Sequence, residues 1–234
     1  MQPALYLIPV TLGETDYRKV LPDYNRDIVL QVRHFIVENV RTARRFLKKC
    51  HPAMVIDDIR FYELNKHTSP AQKAEYLAPL ANGEAIGLLS ESGCPAIADP
   101  GAEIIAIAQQ QGYRVIPLVG PSSLLMALMA SGFNGQNFAF HGYLPIDAAA
   151  RIARIKLMES RVYEEHQTQL FIETPYRNNK LMEELVRICR PTTKICVAAN
   201  ITCDDEFIRT RPAKEWKDNI PDLNKKPTMF LIYK

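Results

Sequence analysis

Glu84-Ala85-Ile86-Gly87-Leu88-Leu89-Ser90-Glu91-Ser92-Gly93-Cys94-Pro95-Ala96-Ile97-Ala98-Asp99-Pro100-Gly101 begins as an apolar run, turns into a loop of small and rigid residues, and leads into the amphipathic stretch Ala102–Gln111. A short apolar run bounded by turn residues reads as a buried strand, and the longer stretch reads as a helix. Strand, loop and helix in that order make half of a βαβ unit, so the segment predicts an α/β fold. The loop then lies at the carboxyl end of a strand, where open α/β sheets hold their ligands. Gly93 lets backbone approach a ligand with no side chain between them, and Pro95 and Pro100 hold the loop in shape. An ordinary connection, with Asp99 and Gly101 setting the helix start, is the other reading of the same residues.

The alternation extends in both directions. Upstream, the pattern predicts a strand over Ala4–Val10, a helix over Val29–Lys49, a strand over Met54–Asp57 and a helix over Ala71–Ala81; a strand at Arg114–Leu118 follows downstream. The second half reads as helix Ser122–Ser131, strand Asn137–Gly142, helix Ala148–Glu165, strand Gln169–Glu173, helix Asn178–Arg190 and strands Lys194–Ala199 and Thr228–Tyr233. The first half therefore predicts a mostly parallel sheet with crossover helices, and the second a sheet whose neighbours need not all be parallel. Pro117-Leu118-Val119-Gly120-Pro121 breaks any continuing element, which predicts an N-terminal α/β domain over residues 1–118 and a C-terminal α/β domain over 119–234.

Among 234 residues, 47% are hydrophobic and 24% charged, a globular balance that excludes a disordered or fibrous chain. A net charge of +3 is too small to mark a nucleic-acid binder, so charge must be read locally. In Arg41-Thr42-Ala43-Arg44-Arg45-Phe46-Leu47-Lys48-Lys49, the residues Arg41, Arg45 and Lys48 or Lys49 share a helical face that suits phosphate; a solvated face fits equally well. The five cysteines are scattered without metal-binding spacing, so no metal is expected. No apolar run is long enough to span a bilayer, and Met1-Gln2-Pro3-Ala4-Leu5-Tyr6 lacks a secretory basic stretch, which predicts a cytoplasmic protein with no membrane partner.

The chain lacks both Gly-x-x-x-x-Gly-Lys-Ser/Thr and Gly-x-Gly-x-x-Gly, so the loop after Leu89 suits an uncharged or zwitterionic ligand better than a polyphosphate. Two more loops accompany it. Val119-Gly120-Pro121-Ser122-Ser123 precedes an apolar helix whose first N–H groups and serine hydroxyls fit nucleoside heteroatoms, or simply cap the helix. Ile8-Pro9-Val10-Thr11-Leu12-Gly13-Glu14 ends the first strand. Together the three predict a cleft.

At these residues the sequence resembles the tetrapyrrole methylase superfamily of S-adenosylmethionine-dependent methyltransferases, and within it the branch that 2′-O-methylates a ribose of small-subunit ribosomal RNA. The resemblance covers nearly the whole chain. The branch's Thr-Pro-Ile-Gly-Asn is matched by Val10-Thr11-Leu12-Gly13-Glu14, and its Ala-Glu-Asp-Thr-Arg by Val37-Glu38-Asn39-Val40-Arg41. Its Ser-Asp-Ala-Gly-Thr-Pro and Asp-Pro-Gly are matched by Ser90–Pro95 and Asp99-Pro100-Gly101, and its Pro-Gly-Pro-Ser/Cys-Ala by Val119–Ser123. Gly142-Tyr143-Leu144-Pro145 stands for Gly-Phe-Leu-Pro, and Ile172-Glu173-Thr174-Pro175-Tyr176-Arg177 for Tyr-Glu-Ser/Thr-Pro-His-Arg. The sequence departs from the branch at Asn39, Val40 and Glu91, has His67-Thr68-Ser69 in place of His-Asn-Glu, and lacks the C-terminal extension.

The resemblance implies a two-domain tetrapyrrole-methylase-like fold, a homodimer, and S-adenosyl-L-methionine held in a cleft between the domains. It puts the methionine part near Pro9 and the loop of Ser92, Gly93, Cys94, Pro95 and Ile97. It puts the adenosine part near Ser122, Ser123, Glu173, Asn200 and Ile201, with Gly120 and Pro121 as further cofactor-binding residues. Methyl transfer from a sulfonium needs alignment and exclusion of water, while a ribose hydroxyl profits from a carboxylate base. Glu38 and Glu173 are the candidate catalytic residues, with Glu14 behind them. Arg41, Arg45 and Arg177 are the candidates for binding ribosomal RNA or the small ribosomal subunit. A tetrapyrrole or protein side chain as acceptor, or a cofactor- or RNA-binding protein without turnover, are the competing readings.

Overall fold

Leu5–Ile8 forms the first strand, β1, of a chain that the computed structural model describes over residues 1–234. After a 3-10 turn at Tyr17–Lys19 come α1 (Asp23–Gln31), β2 (His34–Val37), α2 (Val40–Cys50), a second 3-10 turn at Ile56–Asp58 and β3 (Arg60–Glu63). The short helices α3 (Pro70–Glu75) and α4 (Ala78–Ala81) lead to β4 (Ile86–Leu89), α5 (Gly101–Gln110) and β5 (Val115–Pro117). The strands form one sheet in the order β3-β2-β4-β1-β5, with every pairing parallel. Strands covered on both faces need apolar residues at nearly every position, which is why β1 and β4 read as unbroken apolar runs.

Each face has its own core. Tyr6, Ile8, Phe35 and Val37 pack with Ile28 and Val29 of α1 and Ala43, Phe46 and Leu47 of α2. Leu5, Ile36, Ile86 and Leu88 pack on the other face with Leu77, Leu80, Ile104 and Ala108. The chain leaves β1 toward the first face and β4 toward the second, and these strands are neighbours. The crevice beyond their carboxyl ends is therefore the topological switch point of the sheet.

The sequence expectation of one helix over Val29–Lys49 is corrected: β2 interrupts it. His34-Phe35-Ile36-Val37 is aromatic and β-branched, and full burial removes the two-residue period that would have marked a strand. The strand expected at Met54–Asp57 is a 3-10 turn, and the edge strand β3 lies just beyond it. The helix expected at Ala71–Ala81 is two helices, because the ring of Pro79 cannot continue α3 and instead sits in the first turn of α4.

By its contacts the chain divides into Met1–Ser122 and Ser123–Lys234. The second unit comprises α6 (Ser123–Ser131), β6 (Phe138–Tyr143), α7 (Ala148–Glu164), β7 (Thr168–Ile172), α8 (Asn178–Ile188), β8 (Lys194–Ala199), β9 (Phe207–Pro212), α9 (Ala213–Trp216) and β10 (Thr228–Tyr233). Its sheet runs β6-β7-β10-β8-β9 and is mixed: β6 and β7 are parallel, while β10 is antiparallel to both its neighbours. The edge strand β9 went unread in the sequence, since Phe207-Ile208-Arg209-Thr210-Arg211-Pro212 is half polar and ends in proline. Ile155 and Val162 of α7, Leu181 and Leu185 of α8, and Phe171 stacked on Phe230 fill the core. The Trp216 indole N–H donates to the Ile195 carbonyl at 3.0 Å.

Candidate functional site

Three loops of the first unit, after β1, β4 and β5, close on one another. Val10 N donates to the Gly93 carbonyl at 3.0 Å, the Ser92 hydroxyl donates to the Leu12 carbonyl at 3.2 Å, and the Cys94 thiol lies 3.4 Å from the Pro121 carbonyl. Gly93 has φ +71°, and a Cβ there would stand 2.9 Å from Leu12 and 3.2 Å from the Pro121 carbonyl. The space beside this glycine is thus filled by protein; Gly93 lets loops meet. Gly120 does the same against Pro9, whose Cβ would be 2.3 Å from an added methyl group.

Beyond Pro95 the backbone is strained. Ala96 and Ala98 adopt φ of 67° and 61°, a left-handed conformation that costs an alanine about 1–2 kcal/mol. One Asp99 carboxylate oxygen holds the bend by accepting from Ala96 N at 2.8 Å and Gly101 N at 2.7 Å. Pro9, Gly93, Pro95 and Pro121 are buried, Cys94 and Gly120 half-buried, and Ser92 and Ile97 exposed.

A carboxylate group borders these loops. Glu38, at the end of β2, accepts from Glu91 N at 3.3 Å. Burial pushes its pKa up; the Glu91 N–H opposes that, and the charges of Asp99 and Glu91 add to it. The Thr42 hydroxyl lies 2.5 Å from a Glu91 carboxylate oxygen. Thr42 stands in the first turn of α2, where Asn39 caps the helix by accepting from Arg41 N and Thr42 N. An amide oxygen caps as an aspartate would, so the departure at Asn39 keeps the helix start intact.

Beside this group, at the switch point, lies a hollow of about 250 Å³. Leu12 and Glu14 from the loop after β1, Thr42, Arg45, Phe46 and Lys49 from α2, and Ser90 and Glu91 after β4 face it. Lys49 Nζ donates to Glu14 at 2.5 Å. That hydrogen bond, with the charges of Lys49 and Arg45, holds the Glu14 carboxyl below the usual carboxylate range. Arg41, Arg44, Arg45, Lys48 and Lys49 are all exposed, and Arg44 lies 5.5 Å over the Phe61 ring.

In the second unit, Glu173 at the end of β7 is buried and spoken for. Its carboxylate accepts from Arg177 Nη2 and from Thr174 N, each at 2.6 Å. Asn200, with φ 48°, donates its backbone N–H to the Pro227 carbonyl and its amide to Asp205, and Ile201 is buried beside it. Lys225 N donates to the Pro175 carbonyl, so the loops after β7 and β8 and before β10 meet at one end of the sheet. Ser122 ends the first unit and Ser123 opens α6.

The structure therefore gathers Pro9, Ser92–Pro95, Gly120 and Pro121 in one unit and Glu173, Arg177, Asn200 and Ile201 in the other. Of the two candidate catalytic carboxylates, Glu38 stands half-buried and Glu173 is ion-paired. Sequence reasoning passed over Glu91, Thr42 and Phe46 as site residues. The helical spacing of Thr42, Phe46 and Lys49 carried the signal, obscured by the over-long helix.

Residues 11–216 match the family model described as Tetrapyrrole (Corrin/Porphyrin) Methylases. The chain is 29% identical to "Ribosomal RNA small subunit methyltransferase I" of Vibrio cholerae over 98% of its own length and 76% of that protein's. It is 30% identical to the protein of the same name from Escherichia coli O157:H7, over 92% and 71% of the two chains. Among solved structures, the methyltransferase CobJ superposes with a TM-score of 0.64 at 14% identity, covering 98% of this chain and 92% of that one. A cobalt precorrin-4 methyltransferase of cobalamin biosynthesis gives 0.62 at 14% identity, covering 98% and 94%.

Proposed function

The chain belongs to the tetrapyrrole methylases and is a methyltransferase; from that premise we propose that it moves a methyl group from S-adenosylmethionine to a ribose 2′-hydroxyl of small-subunit ribosomal RNA. The observation that carries the RNA acceptor is α2, which presents five exposed cations and no acid between Val40 and Cys50 beside the converging loops. Phosphate backbones are bound by such surfaces, with an affinity that falls as salt rises. The named activity of relatives at about 30% identity points the same way.

The residues present fit the methyl donor. Glu38, Glu91 and Asp99 give the loops a negative surround, which suits a sulfonium and an ammonium group, while backbone and small side chains suit uncharged parts. S-adenosylmethionine supplies, when bound, a methyl group on a cationic sulfur with a neutral leaving group. Pro9, Ser92, Gly93, Cys94, Pro95 and Ile97 would hold its methionine end, and Gly120 and Pro121 would border the cofactor. Ser122, Ser123, Glu173, Asn200 and Ile201 would hold the adenosine.

Glu38 takes the proton from the acceptor hydroxyl, because a carboxylate raised by burial is the stronger base at neutral pH. Glu173, tied to Arg177 and Thr174, positions its loop. Arg41 and Arg45 steer and hold the RNA backbone; Arg177 contributes through Glu173. The enzyme works as a homodimer in the cytoplasm.

The test is transfer of tritiated methyl from S-adenosylmethionine to small ribosomal subunits, to their naked RNA and to a tetrapyrrole. A 2′-O-methyl group blocks alkaline cleavage of the adjacent phosphodiester, so label is expected in alkali-stable dinucleotides. Label only in the tetrapyrrole would overturn the RNA acceptor. Failure to bind the donor in a calorimetric titration would overturn the cofactor.

A further inference from the structure

The hollow at the switch point has three kinds of wall. Leu12 and Phe46 offer apolar surface; Thr42, Ser90 and Glu91 offer hydroxyls and a carboxylate; Arg45 and Lys49 offer positive charge. Apolar, hydrogen-bonding and cationic walls in one small space match the base, ribose and phosphate of a nucleotide. At about 250 Å³ the hollow has room for one such unit and is small beside the pockets that enclose larger ligands.

Its charges are balanced in an uneven way. Glu91 is tied to Thr42 at the base of α2. Glu14, by contrast, has a side chain 92% exposed and meets Lys49 across the mouth. Exposed ion pairs of this sort are weak, so an incoming anion displaces the carboxylate readily. The loop that carries Glu14 is the one that also contributes Leu12, so moving Glu14 off Lys49 opens the mouth from the same side as the apolar wall.

We infer that this hollow receives a single nucleotide of the acceptor RNA, and that in the free protein Glu14 occupies on Lys49 the place of that nucleotide's phosphate. The inference rests on the RNA reading above and adds to it a defined pocket and a displaceable counter-ion. Base and ribose lie between Phe46 and the Thr42–Glu91 pair, while the phosphate bridges Lys49 and Arg45. Glu14 is then a brake on RNA binding, acting chiefly through its direct hydrogen bond to Lys49 and only weakly on Arg45.

A double-mutant cycle tests this with the intact protein and a short single-stranded RNA of mixed sequence at constant salt. Glu14→Gln is expected to tighten binding about two- to fivefold, the scale of an exposed ion pair. Lys49→Met should weaken binding, and adding Glu14→Gln to Lys49→Met should then change affinity far less than Glu14→Gln does in the unaltered protein. Glu75→Gln, an exposed acid on α3, serves as the control for general charge and should leave affinity unaltered. Equal tightening by Glu14→Gln in both backgrounds would mean a diffuse field effect and would overturn the latch, as would no tightening at all. Failure of the unaltered protein both to bind RNA and to methylate small-subunit RNA would overturn the RNA reading together with it. Methylation of RNA with an additive cycle would remove the pocket and leave that reading standing.

Discussion

Glu38 is placed where basicity and stability pull against each other. Burial raises its pKa from the ordinary 4.5, which makes the carboxylate a better proton acceptor and a worse neighbour for the fold. Below pH 4.5 both folded and unfolded chains carry the proton. As pH rises through the window between that value and the raised folded one, only the folded chain keeps it, so stability falls across the window and stays lower above it. Glu38→Gln keeps an acceptor for Glu91 N, so it is expected to lower kcat about a hundred- to ten-thousandfold while raising Tm at neutral pH. The gain should vanish below pH 4.5, and thermal melts across pH with single-turnover assays check both halves. A loss of stability at neutral pH would contradict the burial argument. Gly120 gives a steric case: a methyl group 2.3 Å from Pro9 Cβ meets a rigid ring, whereas at Gly83, φ +79°, an added methyl meets nothing within 4 Å. Gly83→Ala should cost about 1–2 kcal/mol from backbone strain alone, and Gly120→Ala more, with donor affinity lost in addition. Denaturant midpoints and calorimetry read the difference.

At the scale of elements, the Arg151–Glu184 pair joins α7 to α8 and does more than balance charge. Arg151 donates to both Glu184 oxygens, at 2.6 and 2.8 Å, and through Nη1 to the carbonyls of Pro145 and Ile146, so it also holds the loop after β6. Both side chains are nearly buried, at 7% and 9% exposure. Arg151→Met is expected to cost about 3–5 kcal/mol, because it strands a buried carboxylate and two carbonyls, and urea unfolding measures it; a loss under 1 kcal/mol would rule out that arrangement. None of this was visible in the sequence, since no local pattern tells which arginine on an amphipathic helix turns inward. Elements whose burial is one-sided were legible: α5 and α7 fall within one residue of their expected bounds. The failures came at β2, buried on both faces, and at the edge strands β3 and β9, where the apolar signal is thin. The site shared that fate. The glycine- and proline-rich loops stood out because their backbone needs special residues, whereas Thr42 and Phe46 line a hollow only once α2 starts at Val40.

Across the whole molecule, the split into a parallel and a mixed sheet was legible because strands separated by crossover helices favour parallel pairing, while the last two strands read in the second half have no helix read between them and so have other options. The strand orders, and with them the switch point, depend on pairings distant in sequence and had no local signature. What a single chain leaves uncovered is equally informative. The helix α6, Ser123-Leu124-Leu125-Met126-Ala127-Leu128-Met129-Ala130-Ser131, is apolar on every side, the composition of a helix surrounded by protein. It packs on β9 and β10, yet Leu125 is 50% and Met129 82% exposed, and Tyr143 and Ile146 of the same unit are 58% and 77% exposed. Large apolar side chains left this exposed on an all-apolar helix are what an association face presents, which fits the proposed homodimer and gives it a handle. Met129→Glu places a charge on the most exposed of these residues without touching the core of the unit. Sedimentation equilibrium at micromolar protein should then find a dimer for the unaltered chain and a monomer for the variant, with Tm changed little. A monomer in both would remove the dimer. A dimer in both would move its interface away from α6, leaving that helix to be covered by something other than a second copy.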